Sequence, residues 1–126
     1  NVEGSYCSSL GKYKVGIRSY SKWGINVHYK LHGLEVTNNN AFKRYIVLHS
    51  YTPMPEMEVY PLHLPLGISQ GCPVISDEVM RKVDRLLKAE KKPVLLWDFM
   101  IKKYYLFEIN RGSLFFFVTF AKLKII

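Results

Sequence analysis

The sequence has few cysteines, and it has no apolar run long enough to cross a membrane. The two cysteines, Cys7 and Cys72, form no CxxC pair and cannot make a zinc site by themselves. The longest apolar candidate, Leu114 to Ala121, is far shorter than the roughly 20 residues that a membrane-spanning helix needs. A zinc-finger class of domain and a membrane span are therefore excluded.

Acidic side chains are scarce relative to basic ones. The 126 residues include 18 Lys and Arg against 10 Asp and Glu, which gives a net charge of +8. Such an excess favours an anionic partner: nucleic acid, a membrane surface or a carboxylate-rich polymer. The basic residues are scattered in short pairs such as Lys43-Arg44, so we expect solubility or steering rather than a nucleic-acid-binding patch.

Hydrophobic periodicity predicts a single, mainly β domain. Residues 25–31 alternate cleanly, with Ile25, Val27, Tyr29 and Leu31 on one face, which indicates a half-buried strand. A weaker strand is predicted over Lys12–Tyr20, and a short one over Val94–Trp97. The β-prone run Tyr45–Leu48 suits a central strand buried on both faces, with His49 at its end.

One helix is predicted after Cys72. Ser76 is a suitable N-cap, and Asp77 and Glu78 lie in the first turn, where the helix dipole favours acidic residues. Apolar residues at helical spacing follow until Lys91, and Pro93 prevents further extension.

The connection between His49 and Cys72 is long and rich in proline. Four of the six prolines fall within its 22 residues. Because proline removes a backbone donor and fixes φ, neither a helix nor a central strand fits this segment. A long irregular connection in a small domain is usually functional, and a lid over a site is one example.

Cys72 is a candidate nucleophile in the run Ser69-Gln70-Gly71-Cys72-Pro73. A free thiol is only about 3% ionised at pH 7, so a catalytic cysteine needs a base such as histidine nearby. Gly71 permits a tight turn, and backbone N–H groups around it would face a developing oxyanion. On spacing alone, a buried structural cysteine and a hydrogen-bonded histidine at a strand end explain these residues slightly better than catalysis does.

The sequence segments around Cys72 and His49 are a more specific signal than the spacing of the two residues. The runs FKRYIVLHS (residues 42–50) and LGISQGCPVIS (66–76), followed by a helix and VLLW (94–97), resemble the murein L,D-transpeptidase catalytic domain family. More narrowly, they are similar to its branch with a Ser-x-Gly-Cys-Pro signature. This branch is also matched by the segments Trp23-Gly24 and Leu31-His32-Gly33-Leu34-Glu35. The resemblance spans roughly residues 8–97.

The resemblance implies the roles of several residues. Cys72 would be the acylated nucleophile and His49 its general base. Ser50 would orient the imidazole through its backbone carbonyl. Gly71 and the N–H groups of Gln70 and Cys72 would supply an oxyanion hole, and Ser69 would hold the turn.

Four residues form the candidate substrate-binding set. Three of them, Ser69, Gln70 and Arg44, lie in the segments that resemble the family. The fourth, His63, lies in the proline-rich segment. His28 and His32 are interpreted as exposed residues on the polar face of their strand, and Cys7 as a bystander thiol. No cofactor and no metal are implied.

The sequence also departs from the family. Gln70 replaces a histidine, Val74 occupies an arginine position, and Ser50 replaces the glycine usual in this branch. The resemblance implies a β-rich sandwich or barrel with one helix after the catalytic cysteine, and with the early strands missing. We therefore assign residues 1–97 to a catalytic-type domain and residues 98–126 to an aromatic and basic tail of uncertain structure.

The function that the resemblance implies is acyl transfer on peptidoglycan stem peptides in the bacterial cell envelope or periplasm, which requires export. Cys72 would attack the carbonyl of the diamino acid at the third stem position, and an amine or water would resolve the acyl-enzyme. The net positive charge agrees with a carboxylate-rich substrate. A non-catalytic wall-binding domain on the same fold and an unrelated cysteine hydrolase remain alternatives.

Overall fold

The computed structural model describes residues 8–56, 69–99 and 122–125. Its described part contains one mixed sheet and one helix. The elements are β1 (Gly11–Tyr20), β2 (Val27–Gly33), β3 (Val47–Ser50), β4 (Val74–Ile75), α1 (Asp77–Ala89), β5 (Leu95–Phe99) and β6 (Lys122–Ile125). The sheet curls into a half-barrel. The predicted mainly β class, with one helix after Cys72, is confirmed.

The strands follow the order β4-β3-β2-β1-β5-β6 across the sheet. All neighbours pair antiparallel except β3 and β4, which are parallel. The sequence gives no signal for β4 because this strand has only two residues. Its pairing nevertheless matters most for the site, since it brings the chain after Cys72 alongside the strand that carries His49.

The alternating pattern of β2 explains the core. Val27, Tyr29 and Leu31 are buried, as the period of two predicts, and they pack in one cluster with Leu48 of β3 and Met80 of α1. The opposite face of β2 differs from the prediction. His28 is only 7% exposed, so the interpretation of this residue as an exposed one is wrong.

The start of β3 also differs from the prediction. Tyr45 has a φ of 60° and is 58% exposed, so it belongs to a turn, and β3 begins at Val47. The Tyr45 N–H donates to Phe42 O, and the Ile46 N–H donates to Ala41 O. These local hydrogen bonds compete with strand pairing for the same backbone groups, and here they prevail.

The helix begins and ends close to the predicted residues. Ser76 is the N-cap, and its Oγ accepts a hydrogen bond from the Val79 N–H. None of the helices in the described part of the chain is long and apolar enough to cross a membrane. Three features of the sequence analysis fall outside the described residues: Cys7, His63 and the apolar run 114–121.

A buried carboxylate joins the helix to the sheet. Asp84 of α1 accepts hydrogen bonds from the Arg18 Nε atom and the Tyr29 hydroxyl, both at 2.7 Å, and it pairs with Lys88 at 2.9 Å. The Arg18 guanidinium, more than any other group, holds the pKa of Asp84 well below its usual range. The ionised carboxylate therefore stabilises the packing of α1 on the sheet.

We expect Asp84→Ala to lower the free energy of unfolding by about 2 kcal/mol or more at pH 7, because it leaves charged and hydroxyl donors without their acceptor. Lys82→Ala, which removes only the exposed Lys82–Glu78 pair, is the control and should cost less than about 0.5 kcal/mol.

Urea unfolding of the wild type and of Asp84→Ala at several pH values tests how the free energy of unfolding depends on pH. Because the folded-state pKa of Asp84 lies below its unfolded value near 4, its contribution is present above about pH 4. It is lost as the pH falls toward the folded-state pKa. The difference between wild type and Asp84→Ala should therefore narrow in acid. A difference that stays constant from pH 6 to pH 3 would contradict this assignment.

Candidate active site around Cys72 and His49

The parallel pairing of β3 with β4 brings His49 and the segment of Cys72 together. His49 is the register partner of Val74, and its N–H donates to Pro73 O at 3.4 Å. Following this register two residues back places Cys72 beside Val47. In agreement, a hydrogen bond from the Val47 backbone favours the ionised form of the Cys72 thiol. The candidate base thus lies on β3, and the candidate nucleophile lies in the segment just before β4, offset by two residues along the sheet.

The His49 ring is oriented by the next residue along the chain. Its Nδ1 lies 2.9 Å from the backbone O of Ser50. Because a carbonyl can only accept a hydrogen bond, Nδ1 carries the proton in the neutral ring and Nε2 keeps its lone pair. The arrangement leaves Nε2 as the atom that can accept a proton.

Ser50 is itself fixed from both sides of its peptide. It is fully buried, and its Oγ accepts a hydrogen bond from the Ile25 N–H at 3.0 Å. Gly24 packs against it with a φ of +56°, and a Cβ at Gly24 would lie 1.9 Å from Ser50 Oγ and 2.5 Å from Ser50 O. Only glycine fits at this position, which explains why a glycine follows Trp23 in the sequence.

The turn before Cys72 is held by Ser69. The Gly71 N–H donates to Ser69 Oγ, and that hydroxyl donates to Cys72 O, both at 3.1 Å. Gly71 has a φ of 101°, which residues with a side chain rarely adopt. Because its N–H is already committed within the turn, Gly71 contributes the shape of the turn rather than an oxyanion donor.

The Cys72 thiol is half-buried against the hydrophobic core and is a free cysteine. Burial raises the pKa of the Cys72 thiol, and the Val47 backbone and the positive charge of Arg44 only partly oppose this effect. The thiol is therefore protonated at neutral pH in the resting structure.

Arg44 reaches the same turn from the loop before β3. Its Nη2 donates to Gln70 O at 3.4 Å, and this contact is exposed to solvent. The guanidinium retains further donors, so it places a cation at the mouth of the site where a carboxylate can approach. His63 lies outside the described residues.

His28 is the neighbour of the site that the sequence interpretation missed. It is the direct cross-strand partner of His49. Burial lowers the pKa of His28, and the nearby His49 lowers it further. The period-two pattern places His28 on the polar face of β2, but a single sequence does not reveal which residue of another strand lies opposite.

The described part of the chain contains no group of three or more His, Cys, Asp or Glu residues that could hold a metal ion.

Comparison with known proteins identifies the family of this chain. The family model for the L,D-transpeptidase catalytic domain matches residues 1–97, which is well over half of the chain. Comparisons with curated proteins and with solved structures find no match. On the strength of the family match, which includes both the Cys72 turn and the strand of His49, this chain belongs to the L,D-transpeptidase catalytic domain family.

Proposed function

We propose that the protein transfers acyl groups of peptidoglycan stem peptides through Cys72, with His49 as general base. The family membership supports the substrate class. The hydrogen bond of 2.9 Å between His49 Nδ1 and Ser50 O carries the mechanistic proposal, because it leaves Nε2 of the ring as the proton acceptor on the strand next to Cys72.

The acylation step follows from these positions. His49 Nε2 accepts the thiol proton as the Cys72 sulfur attacks the carbonyl of the diamino acid at the third stem position. The N–H groups of Gln70 and Cys72 stabilise the oxyanion that forms. The tetrahedral intermediate then collapses, its C–N bond breaks, and the terminal D-alanine leaves with a proton from His49. A thioester on Cys72 remains.

The second step releases the acyl group. An amine from another stem peptide, or water, attacks the thioester carbonyl while His49 accepts its proton. Collapse of the second intermediate breaks the C–S bond, and the departing sulfur recovers the proton. Attack by an amine gives a cross-link, whereas attack by water gives L,D-carboxypeptidase activity.

The protonation of the Cys72 thiol before substrate binds determines when its proton moves to His49. Because the raised pKa of Cys72 disfavours the thiolate, deprotonation coincides with attack on a bound substrate rather than preceding it. A desolvated site then strengthens the electrostatic interactions that hold the imidazolium and the oxyanion. Arg44, Gln70, Ser69 and His63 are the proposed substrate contacts.

The proposed location is the bacterial cell envelope, after export. The stem peptides found there carry several carboxylates, and the net charge of +8 would draw the protein toward such a polymer. The exposed guanidinium of Arg44 beside Gln70 offers one carboxylate a specific partner close to the nucleophile.

One observation favours a second candidate, a wall-binding domain without catalysis. The Cys72 thiol packs against the core, and its pKa is raised by burial, as for a structural cysteine. Such a domain would use Arg44 and the surrounding turn to bind stem peptides and would not become acylated.

We expect a carbapenem to acylate Cys72, giving a stable adduct by intact-mass spectrometry. The adduct should be absent from Cys72→Ala, and its rate of formation should fall by about 100-fold or more in His49→Gln, as for loss of a general base. His32→Ala, a histidine substitution that leaves the Cys72–His49 pair untouched, serves as the control and should acylate at the wild-type rate.

The contrary result distinguishes the two candidates. If the folded wild type gives no adduct while iodoacetamide still labels Cys72, acyl transfer is refuted for this chain. Retained binding of Cys72→Ala to purified peptidoglycan would then favour the wall-binding domain.

We expect alkylation of Cys72 by iodoacetamide to be slower at pH 7 than that of a free cysteine and to be still rising at pH 9. The raised pKa means that the thiolate forms only at higher pH. The measurement uses Cys7→Ser protein, so that the labelling reports Cys72 alone. A rate that levels off below pH 8 would indicate a thiolate–imidazolium pair in the resting protein.

We expect Gly24→Ala to lower the rate of Cys72 acylation by about tenfold or more, since small misplacements of catalytic groups cost up to about 100-fold. The added Cβ would collide with Ser50 and move the carbonyl that orients His49. Lys22→Ala, an exposed substitution in the same turn, is the control. Unchanged acylation in folded Gly24→Ala would show that Ser50 does not orient the base.

A further inference from the structure

Three residues lie side by side on neighbouring strands of the sheet: His28, His49 and Val74. His28 of β2 is the register partner of His49, and Val74 of β4 is its partner on the other side. Side chains of such partners project from the same face about 5 Å apart. The His49 ring therefore lies between Val74, on the side from which Cys72 approaches, and His28, on the side away from it.

His28 is held firmly in this row. It is 7% exposed, and a hydrogen bond with the Tyr20 backbone ties its ring to β1. The Tyr45 ring packs edge-on against it, with ring centroids 6.0 Å apart and an interplanar angle of 74°. A buried ring with two such contacts makes a rigid side wall for its neighbour.

We propose that His28 is a positioning residue for His49, blocking rotation of the His49 imidazole toward β2. With that direction closed, Nδ1 stays on the Ser50 carbonyl and Nε2 stays on the side of the strand that follows Cys72. This inference rests on the proposed function, in which His49 Nε2 accepts the thiol proton. It adds a residue on a different strand that enforces the productive ring orientation.

The charge state of His28 is compatible with this role. The groups that face it are His49 from β3, Lys30 from its own strand, the Tyr45 ring from the preceding turn, and Ser19 and the Tyr20 backbone from β1. Burial lowers the pKa of His28, His49 and Lys30 lower it further, and the Tyr20 backbone opposes them in part. This shift favours the neutral form of His28, which adds no charge repulsion when His49 accepts the thiol proton.

Nitrogen-15 NMR of the histidine rings tests the proposal directly, because ring nitrogen shifts report which nitrogen carries the proton. In the wild type near neutral pH, His49 should show the single tautomer protonated at Nδ1. In His28→Ala, His49 should show averaging between tautomers, and carbapenem acylation should slow about tenfold or more. His28→Phe restores a planar wall and should recover both the tautomer and most of the rate.

His32→Ala is the matched control, since His32 lies on the same strand and stacks on Phe42 rather than facing His49. It should change neither readout. An unchanged His49 tautomer in folded His28→Ala, or the same change in His32→Ala, would overturn the proposal. Failure of wild-type acylation would refute the proposed function alone, because the tautomer comparison still decides the role of His28.

The wild type provides a test that does not depend on folding of a variant. Through-space NMR contacts between ring protons of His28 and His49 should be observed if the two register partners pack ring against ring as proposed. Absence of these contacts in the folded wild type would also overturn the proposal.

Discussion

The site depends on Ser50 more than on any other residue, because three parts of the chain meet at its peptide. Its side chain accepts the Ile25 N–H, its carbonyl lies 2.9 Å from His49 Nδ1, and its backbone pairs with Ile75 of β4. Ser50 is fully buried, and its hydroxyl and its carbonyl both have partners, so it has few alternative positions. The orientation of the candidate base is thus fixed by the sheet and by the turn after β1.

The nucleophile is held in a different way. β4 has two residues, so few ladder hydrogen bonds constrain the segment that carries Cys72. Its geometry comes instead from the local turn, where Ser69 Oγ joins the Gly71 N–H to Cys72 O. A local turn can adjust without disturbing the sheet. The candidate base is therefore held by the sheet, while the half-buried Cys72 thiol lies in a turn that few ladder hydrogen bonds constrain.

The sequence was informative where a pattern has a local cause. The burial of Val27, Tyr29 and Leu31 follows from their alternation, and the helix start at Ser76 follows from its capping chemistry. Tyr45 was misassigned because its β propensity says nothing about the hydrogen bonds that close the turn at Phe42 and Ala41. The sequence alone does not predict β4 or the cross-strand partner of His28, because the register between distant strands depends on the whole sheet. The roles proposed for Cys72 and His49 depend on the resemblance, because the spacing of the two residues alone slightly favours a structural cysteine.

In the proposed mechanism, the position of His28 lets the sheet orient the imidazole of His49. A histidine at the end of a strand has two free torsions, and one hydrogen bond at Nδ1 constrains them incompletely. Neighbouring strands supply the missing constraint, because their side chains stand about 5 Å to either side on the same face. On the β4 side Val74 is small enough to leave the approach from Cys72 open, whereas on the β2 side a buried ring, backed by Tyr45, closes it. The asymmetry of the row, aliphatic toward the nucleophile and aromatic away from it, is what gives the imidazole a direction.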